Sequence, residues 1–236
     1  MRVVVLTGAG VSAESGLGTF RDKAGTGLWA KFDPMRLATP QAFAEDPQLV
    51  HDFYNARRRD LLGASPNAAH VALARLESEL SRRGGRLTLV TQNIDDLHER
   101  AGSTSVIHMH GELLKARCPP CGTVIAWGDD LGADVSCPAC ARAGSLRPHV
   151  VWFGETPLRM DEIYARLAEA DLFAAIGTSG SVYPAAGLAG AARAAGVVTC
   201  EINLEPSDNA AEFDEQRYGR AAETAPLWVE QLLSLA

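Results

Sequence analysis

No stretch of the sequence approaches the roughly 20 apolar residues that a membrane-spanning helix needs, which excludes an ordinary helical membrane protein. Basic charge is also short, with 22 lysines and arginines against 29 aspartates and glutamates, a net charge of -7. A protein that grips nucleic acid needs a basic face to neutralise phosphates, so this balance argues against one. Met1-Arg2-Val3-Val4-Val5-Leu6-Thr7 runs straight into glycines and leaves no room for a signal peptide, so the expected compartment is the cytoplasm. Cysteine is scarce at five residues, but four of them form two C-x-x-C pairs, which in a reducing compartment bind metal more often than they form disulfides. What remains is an ordinary globular balance, 47% hydrophobic and 22% charged over 236 residues. That length suits one large domain with a smaller insert, expected as a monomer.

Apolar, β-rich runs at residues 3–6, 87–91, 105–109, 172–176 and 197–202 alternate with Ala-, Leu- and Arg-rich stretches of helical period. Their near-continuous hydrophobicity predicts strands covered on both faces, the mark of a parallel sheet with crossover helices. Helices are predicted over residues 70–83, where Val71, Leu73, Leu76 and Leu80 recur near helical spacing, and over 161–170. Two stretches break the alternation. Residues 22–66, with Gly25, Gly27, Pro34, Pro40 and Pro47, read as loop followed by short helices, and residues 115–149 carry the paired cysteines among prolines and glycines. The expected class is α/β: a Rossmann-like doubly wound parallel sheet from about residues 1–24, 67–114 and 150–236. A smaller domain is expected from two insertions, a helical module at about 25–66 and a four-cysteine zinc ribbon at about 115–149.

Gly8-Ala9-Gly10-Val11-Ser12-Ala13 follows the first strand at once and fits G-x-G-x-x-G/A, a loop that lets backbone approach a pyrophosphate at a helix N-terminus. Glycine turns after strands are common, so the pattern alone leaves an ordinary turn open. An ordinary dinucleotide fold would show an acidic ribose ligand about 20 residues on. Here that distance falls at Trp29 to Pro34, which is not a strand, and the better ribose candidates are Asn203 and Glu205 after the last apolar run. Cys118-x-x-Cys121 and Cys137-x-x-Cys140, separated by the fifteen residues 122–136, have the spacing of a four-thiolate zinc ribbon. Four thiolates leave no open position for water, so the predicted zinc is structural. Cys200, in an apolar run, reads as a small buried hydrophobe.

Taken in order, Gly8-Ala9-Gly10-Val11-Ser12-Ala13-Glu14-Ser15-Gly16 through Phe20-Arg21, Thr91-Gln92-Asn93-Ile94-Asp95, His108-Met109-His110-Gly111, the cysteine quartet, Phe153-Gly154-Glu155, Gly177-Thr178-Ser179 and Asn203 resemble the motifs of the sirtuin family. The resemblance spans essentially the whole chain. It implies NAD and an acylated lysine meeting in a cleft, where the acyl oxygen attacks the ribose carbon bearing nicotinamide. Nicotinamide, the freed lysine and an O-acyl-ADP-ribose are then the products. Gly8, Ala9, Gly10, Ser12, Ala13, Glu14, Phe20, Arg21, Trp29, Gln92, Asn93, Ile94 and Asp95 are implied to hold the nicotinamide, ribose and phosphate parts. Gly177, Thr178, Ser179, Asn203, Leu204, Glu205 and Ala221 are implied for the adenosine half. His110 is implied as general base, with Asn93 and Asp95 also catalytic; an imidazole suits proton removal near neutral pH. Spacing alone does not select it, since His108 and His110 would face the same way in a strand, and His51, His70, His98 and His149 carry the same structural expectation.

Where the familiar sirtuin loop carries Ile-Pro-Asp, this chain has Leu17-Gly18-Thr19. That resembles the bacterial-type class III members that remove succinyl and malonyl groups, in which a Tyr-x-x-Arg pair reads the distal carboxylate. Tyr54-Asn55-Ala56-Arg57 occupies the matching place, and positions i and i+3 share a helix face. Ala38 resembles the small residue that leaves room for the acyl chain. Val151, Phe153, Gly154, Glu155, Val182 and Tyr183 are expected to offer backbone edges to an acylated-lysine peptide. Two other readings compete: an NAD-dependent mono-ADP-ribosyltransferase using the same site, and a zinc-ribbon binding module with a regulatory nucleotide site.

Overall fold

The computed structural model describes residues 1–19 and 32–235, so the expectations for Phe20, Arg21 and Trp29 fall outside the described residues. In chain order the strands are β1 (Arg2–Thr7), β2 (Arg86–Thr91), β3 (Val106–His108), β4 (Gly111–Arg117), β5 (Val124–Ala126), β6 (Arg147–Val150), β7 (Leu172–Ile176), β8 (Val198–Asn203) and β9 (Glu215–Tyr218). The helices are α1 (Ala9–Ser12), α2 (Pro40–Glu45), α3 (Pro47–Gly63), α4 (Ala68–Arg82), α5 (Leu97–Arg100), α6 (Met160–Ala168), α7 (Leu188–Ala194) and α8 (Ala221–Leu235). No described helix is long and apolar enough to cross a membrane.

Six strands form one sheet in the order β3-β2-β1-β7-β8-β9, every neighbouring pair parallel. The continuous apolar runs have the predicted cause, because both faces are covered. Val3 and Val5 of β1 pack with Leu73, Leu76 and Leu80 of α4 and Trp228 and Leu233 of α8. Val4 and Leu6, on the opposite face, pack with Ile163 and Leu167 of α6 and Leu188 and Ala192 of α7. Burying one such aliphatic side chain contributes roughly 1.5–3 kcal/mol, so the strand is held from both sides. Cys200 is buried in the first of these layers, and burial pushes its thiol up to about 12.

The strand β9 has no counterpart among the predicted runs. Glu215-Gln216-Arg217-Tyr218 pairs only with β8 and is mostly exposed, and an edge strand with solvated faces needs no apolar run. The expectation of short helices over residues 22–66 also needs correction, since α3 runs for 17 residues. Pro40 and Pro47 begin helices here. Each sits at the first helical position, where the missing N–H costs nothing, behind a capping side chain: Thr39 Oγ1 accepts from Ala42 N at 3.0 Å and Asp46 Oδ1 from Leu49 N at 3.0 Å.

The second excursion is built on an antiparallel sheet, β5-β4-β6. It is docked on α3 by Asn55, which donates to Leu131 O at 2.8 Å and accepts from Leu131 N at 2.9 Å, and by the fully buried Arg58, which donates to Leu113 O at 3.2 Å and to Asn55 Oδ1 at 2.8 Å.

Candidate active site at the centre of the parallel sheet

The chain leaves β1 toward β2 on one side of the sheet, while β7 and β8 lie on the other, so the switch point where a crevice opens falls between β1 and β7. Two glycine loops interlock there. Gly10 N donates to Gly177 O at 2.8 Å, and a Cβ at Gly8 would stand 2.7 Å from that same oxygen. A Cβ at Gly10 would lie 2.8 Å from Gly177 Cα. The helix that follows, α1, is a single turn, and the cradle depends on this backbone contact more than on helix length.

In front of the loops lies a cavity of about 810 Å³, a size that takes a large cofactor. Gly8, Ala9, Gly10, Ala13, Glu14, Gln92, Asn93, Ile94, His110, Gly177, Thr178, Ser179, Asn203, Leu204, Glu205 and Ala221 line it. So do Ala38, Tyr54, Val151, Phe153, Gly154, Glu155, Val182 and Tyr183 on the side of α3 and the loop after β6. Ser12, Asp95 and Arg57 line a smaller adjoining cavity, which shares Ala9, Asn93 and Ile94 with the first.

The strand β3 ends at His108, so the alternation expected to align the two histidines stops before His110, which stands in the following turn. The two therefore part. His110 Nδ1 lies 3.0 Å from Gln92 O, a carbonyl that can only accept, which places the proton on Nδ1 and leaves Nε2 as a lone pair with no partner among the described residues. Burial lowers the His110 pKa, so the ring is neutral and basic at neutral pH. His108 does the opposite: Nε2 lies 2.7 Å from Glu99 Oε1 and Nδ1 3.4 Å from Asn93 O. Burial opposes its charge, but the Glu99 carboxylate outweighs it and the pKa is raised.

Ser12 joins the catalytic candidates. Its hydroxyl donates to Asp95 Oδ2 at 2.9 Å and accepts from Asn93 Nδ2 at 3.1 Å, while Asn93 also donates to Gly8 O at 3.1 Å. Burial raises the Asp95 pKa against the Ser12 bond, and its other oxygen accepts from Leu97 N at 3.2 Å. Glu14 accepts from Ala222 N at 2.8 Å and so ties the glycine loop to the start of α8. Gln92 Nε2 donates to Thr178 Oγ1 at 2.9 Å and Asn203 Nδ2 to Thr178 O at 2.8 Å, which lock the strand ends on either side of the crevice.

Behind this row, His70 and His98 are fully buried with ring centroids 4.8 Å apart. His70 Nδ1 accepts from Asn67 N at 3.3 Å, closing the capping box of α4, and burial lowers its pKa to about 4. The unfolded chain binds a proton near the ordinary histidine value of about 6.5 and the folded chain does not. Stability is therefore lost as pH falls from about 6.5 toward about 4, by of order 3 kcal/mol from this residue. Melting curves across that window should flatten in His70→Gln relative to the parent; an unchanged slope would contradict the assignment.

On the substrate side, Tyr54 is buried and its hydroxyl accepts from Trp152 Nε1 at 3.0 Å; burial pushes the phenol up to about 12. Burial lowers the pKa of Arg57, one turn along α3. Two expectations for the loop after β6 change. Val151 N donates to His110 O and Phe153 N to Ala38 O, both at 2.8 Å, so these N–H groups are not available to an added strand. Glu155, expected as another backbone edge, donates its own N–H to Trp152 O at 2.9 Å, and its carboxylate is a clamp that accepts from Arg147, from Arg117 and from Trp152 N. Trp152, between the expected edge residues Val151 and Phe153, and Arg220, beside Ala221, both line the cavity. Nothing in their local sequence marks them, because their position is set by long-range packing.

The four sulfurs of Cys118, Cys121, Cys137 and Cys140 lie within 4.8 Å of one another, with Cys118 to Cys140 at 3.7 Å and Cys121 to Cys137 at 3.8 Å. A tetrahedron with Zn–S bonds of about 2.3 Å has edges of about 3.8 Å, so the quartet fits a zinc ion as it stands.

The profile of the Sir2 family matches residues 8–184. An NAD-dependent protein deacylase of Caulobacter vibrioides is 64% identical over 236 residues, 99% of this chain and 98% of its own length. Another, from Escherichia coli strain K12, is 57% identical over 98% of this chain and 82% of its own. A solved Sir2 homolog in complex with NAD superposes with a TM-score of 0.87 at 40% identity, over 99% of this chain and 90% of that one. The family profile begins at the first cradle glycine and runs past the sulfur quartet to Pro184 in the cavity wall, and on this footing the chain belongs to the Sir2 family.

Proposed function

We propose that the chain is an NAD-dependent protein-lysine deacylase that prefers succinyl- and malonyl-lysine and also accepts acetyl-lysine. The deacylase part draws on the relatives above. The acidic-acyl part is carried by Tyr54: a neutral phenol in the cavity wall whose hydroxyl proton has no acceptor among the described residues. Arg57 follows one turn later on the same helix, beside the adjoining cavity. A carboxylate at the end of an acyl chain would accept the phenol proton and pair with the guanidinium, and an incoming anion offsets the cost of burying that cation. The small buried Ala38 leaves room for the chain.

In this reading Gly8 to Gly10 take the pyrophosphate and Gly177, Ser179, Asn203 and Glu205 the adenosine half. NAD supplies the ribose carbon that receives the acyl oxygen. His110 Nε2 takes the ribose hydroxyl proton, and Asn93 and Asp95, held by Ser12, orient the nicotinamide ribose. Acylated proteins would bind along Phe153, Gly154, Val182 and Tyr183. We place the enzyme in the cytoplasm as a monomer that needs no nucleic acid.

Paired succinyl- and acetyl-lysine peptides of one sequence, followed by mass spectrometry with NAD, test this. The expected result is a higher kcat/KM for succinyl, and in Arg57→Met a fall of about 100-fold in desuccinylation with far less change in deacetylation, the value of a buried charged hydrogen bond. No deacylation of either peptide would sink the enzyme reading. A parallel fall in both activities would make Arg57 structural.

A further inference from the structure

We infer that Trp152 is a positioning residue for acidic acyl groups: its indole N–H holds the Tyr54 oxygen as an acceptor and so reserves the phenol proton for the substrate carboxylate. The inference rests on the acidic-acyl reading above. An indole nitrogen can only donate, so in the 3.0 Å contact the phenol must accept. The phenol's own proton then has to go elsewhere, and among the described residues nothing takes it. A buried donor without an acceptor is costly, and a carboxylate, which only accepts, relieves that cost where an acetyl methyl cannot.

The indole is held too firmly to turn away. The Arg147 guanidinium lies 3.2 Å over its ring, Arg147 is bound to Glu155, and Glu155 also accepts from the Trp152 backbone N–H at 2.9 Å. The Phe43 ring closes another side at a centroid distance of 5.3 Å. Glu155 and Arg147 thus act on the acyl end through Trp152 and Tyr54.

The test is a double-mutant cycle read as KM for succinyl and acetyl peptides. Trp152→Phe removes the N–H and keeps an aromatic ring for Arg147. A benzothienyl-alanine at position 152, which replaces the N–H by sulfur at nearly constant shape, serves if the phenylalanine protein folds poorly. In the parent background the succinyl KM should rise about tenfold, the value of one such hydrogen bond, with the acetyl KM within about twofold. In a Tyr54→Phe background the same change should do nothing further. Equal effects in both backgrounds, or parallel rises for both peptides, overturn the inference and leave the acidic-acyl reading standing. A parent enzyme without succinyl preference overturns both.

Discussion

His110→Ala is expected to lower kcat/KM for deacylation by about 10²- to 10⁴-fold, the range for removing a positioned general base, while melting temperature and metal content stay at parent values. The expectation follows from the ring's tautomer. Gln92 O accepts the Nδ1 proton at 3.0 Å, so the basic lone pair is presented on Nε2, beside a cavity also lined by Asn93 and Gly8. Burial lowers the pKa, which keeps this lone pair free of a proton to lower pH than an exposed histidine would. The sign is checkable: as pH falls, activity should drop with a limb below the ordinary histidine value. A limb at or above that value would point to another base, and a variant retaining a tenth of parental activity would remove His110 from the chemistry.

Loss of the zinc ion is expected to have the largest effect on structure. Metal analysis should find one zinc per chain, and a strong chelator or Cys137→Ser should unfold the second excursion. Two of the five buried residues in its small core, Cys118 and Cys137, are themselves ligands, and Ala116, Leu131 and Leu146 cannot hold it alone. Structural zinc in small modules supplies roughly 10–16 kcal/mol, comparable with the whole stability of a domain. The damage should travel. Leu131 is hydrogen-bonded to Asn55, which lies between Tyr54 and Arg57 on α3, so desuccinylation should fail with the metal although no ligand touches the cavity. Hydrogen exchange should show residues 111–150 opening first. A metal-free protein with unchanged exchange there would refute the structural role.

The parallel sheet was legible because strands covered on both faces must be apolar almost throughout, as residues 3–6 and 172–176 are and as 87–91 are apart from Thr88 and Thr91. The edge strand β9 was not, because one neighbour and solvated faces permit Glu215 and Gln216. Pro47 misled because a proline reads as a break, yet at the first turn of a helix its fixed φ is an advantage. The cysteine quartet was legible because a metal imposes its geometry on spacing, and the sulfur distances agree.

By itself the sequence determined the alternation of the buried elements, the cysteine quartet and, through ordered motifs, many of the residues that line the cavity. These are properties of local pattern: burial on two faces, the reach of a C-x-x-C turn, a glycine where no Cβ fits. Only the tertiary structure decided which way protons lie. His108 and His110 differ by two positions, yet one meets the Glu99 carboxylate, which raises its pKa, while the other is buried with the Gln92 carbonyl on Nδ1, and burial lowers its pKa. Tyr54 meets Trp152, 98 residues away, and that contact fixes its hydroxyl oxygen as an acceptor. Acid, base and donor roles depend on the partner each group finds in space, and those partners come from distant parts of the chain.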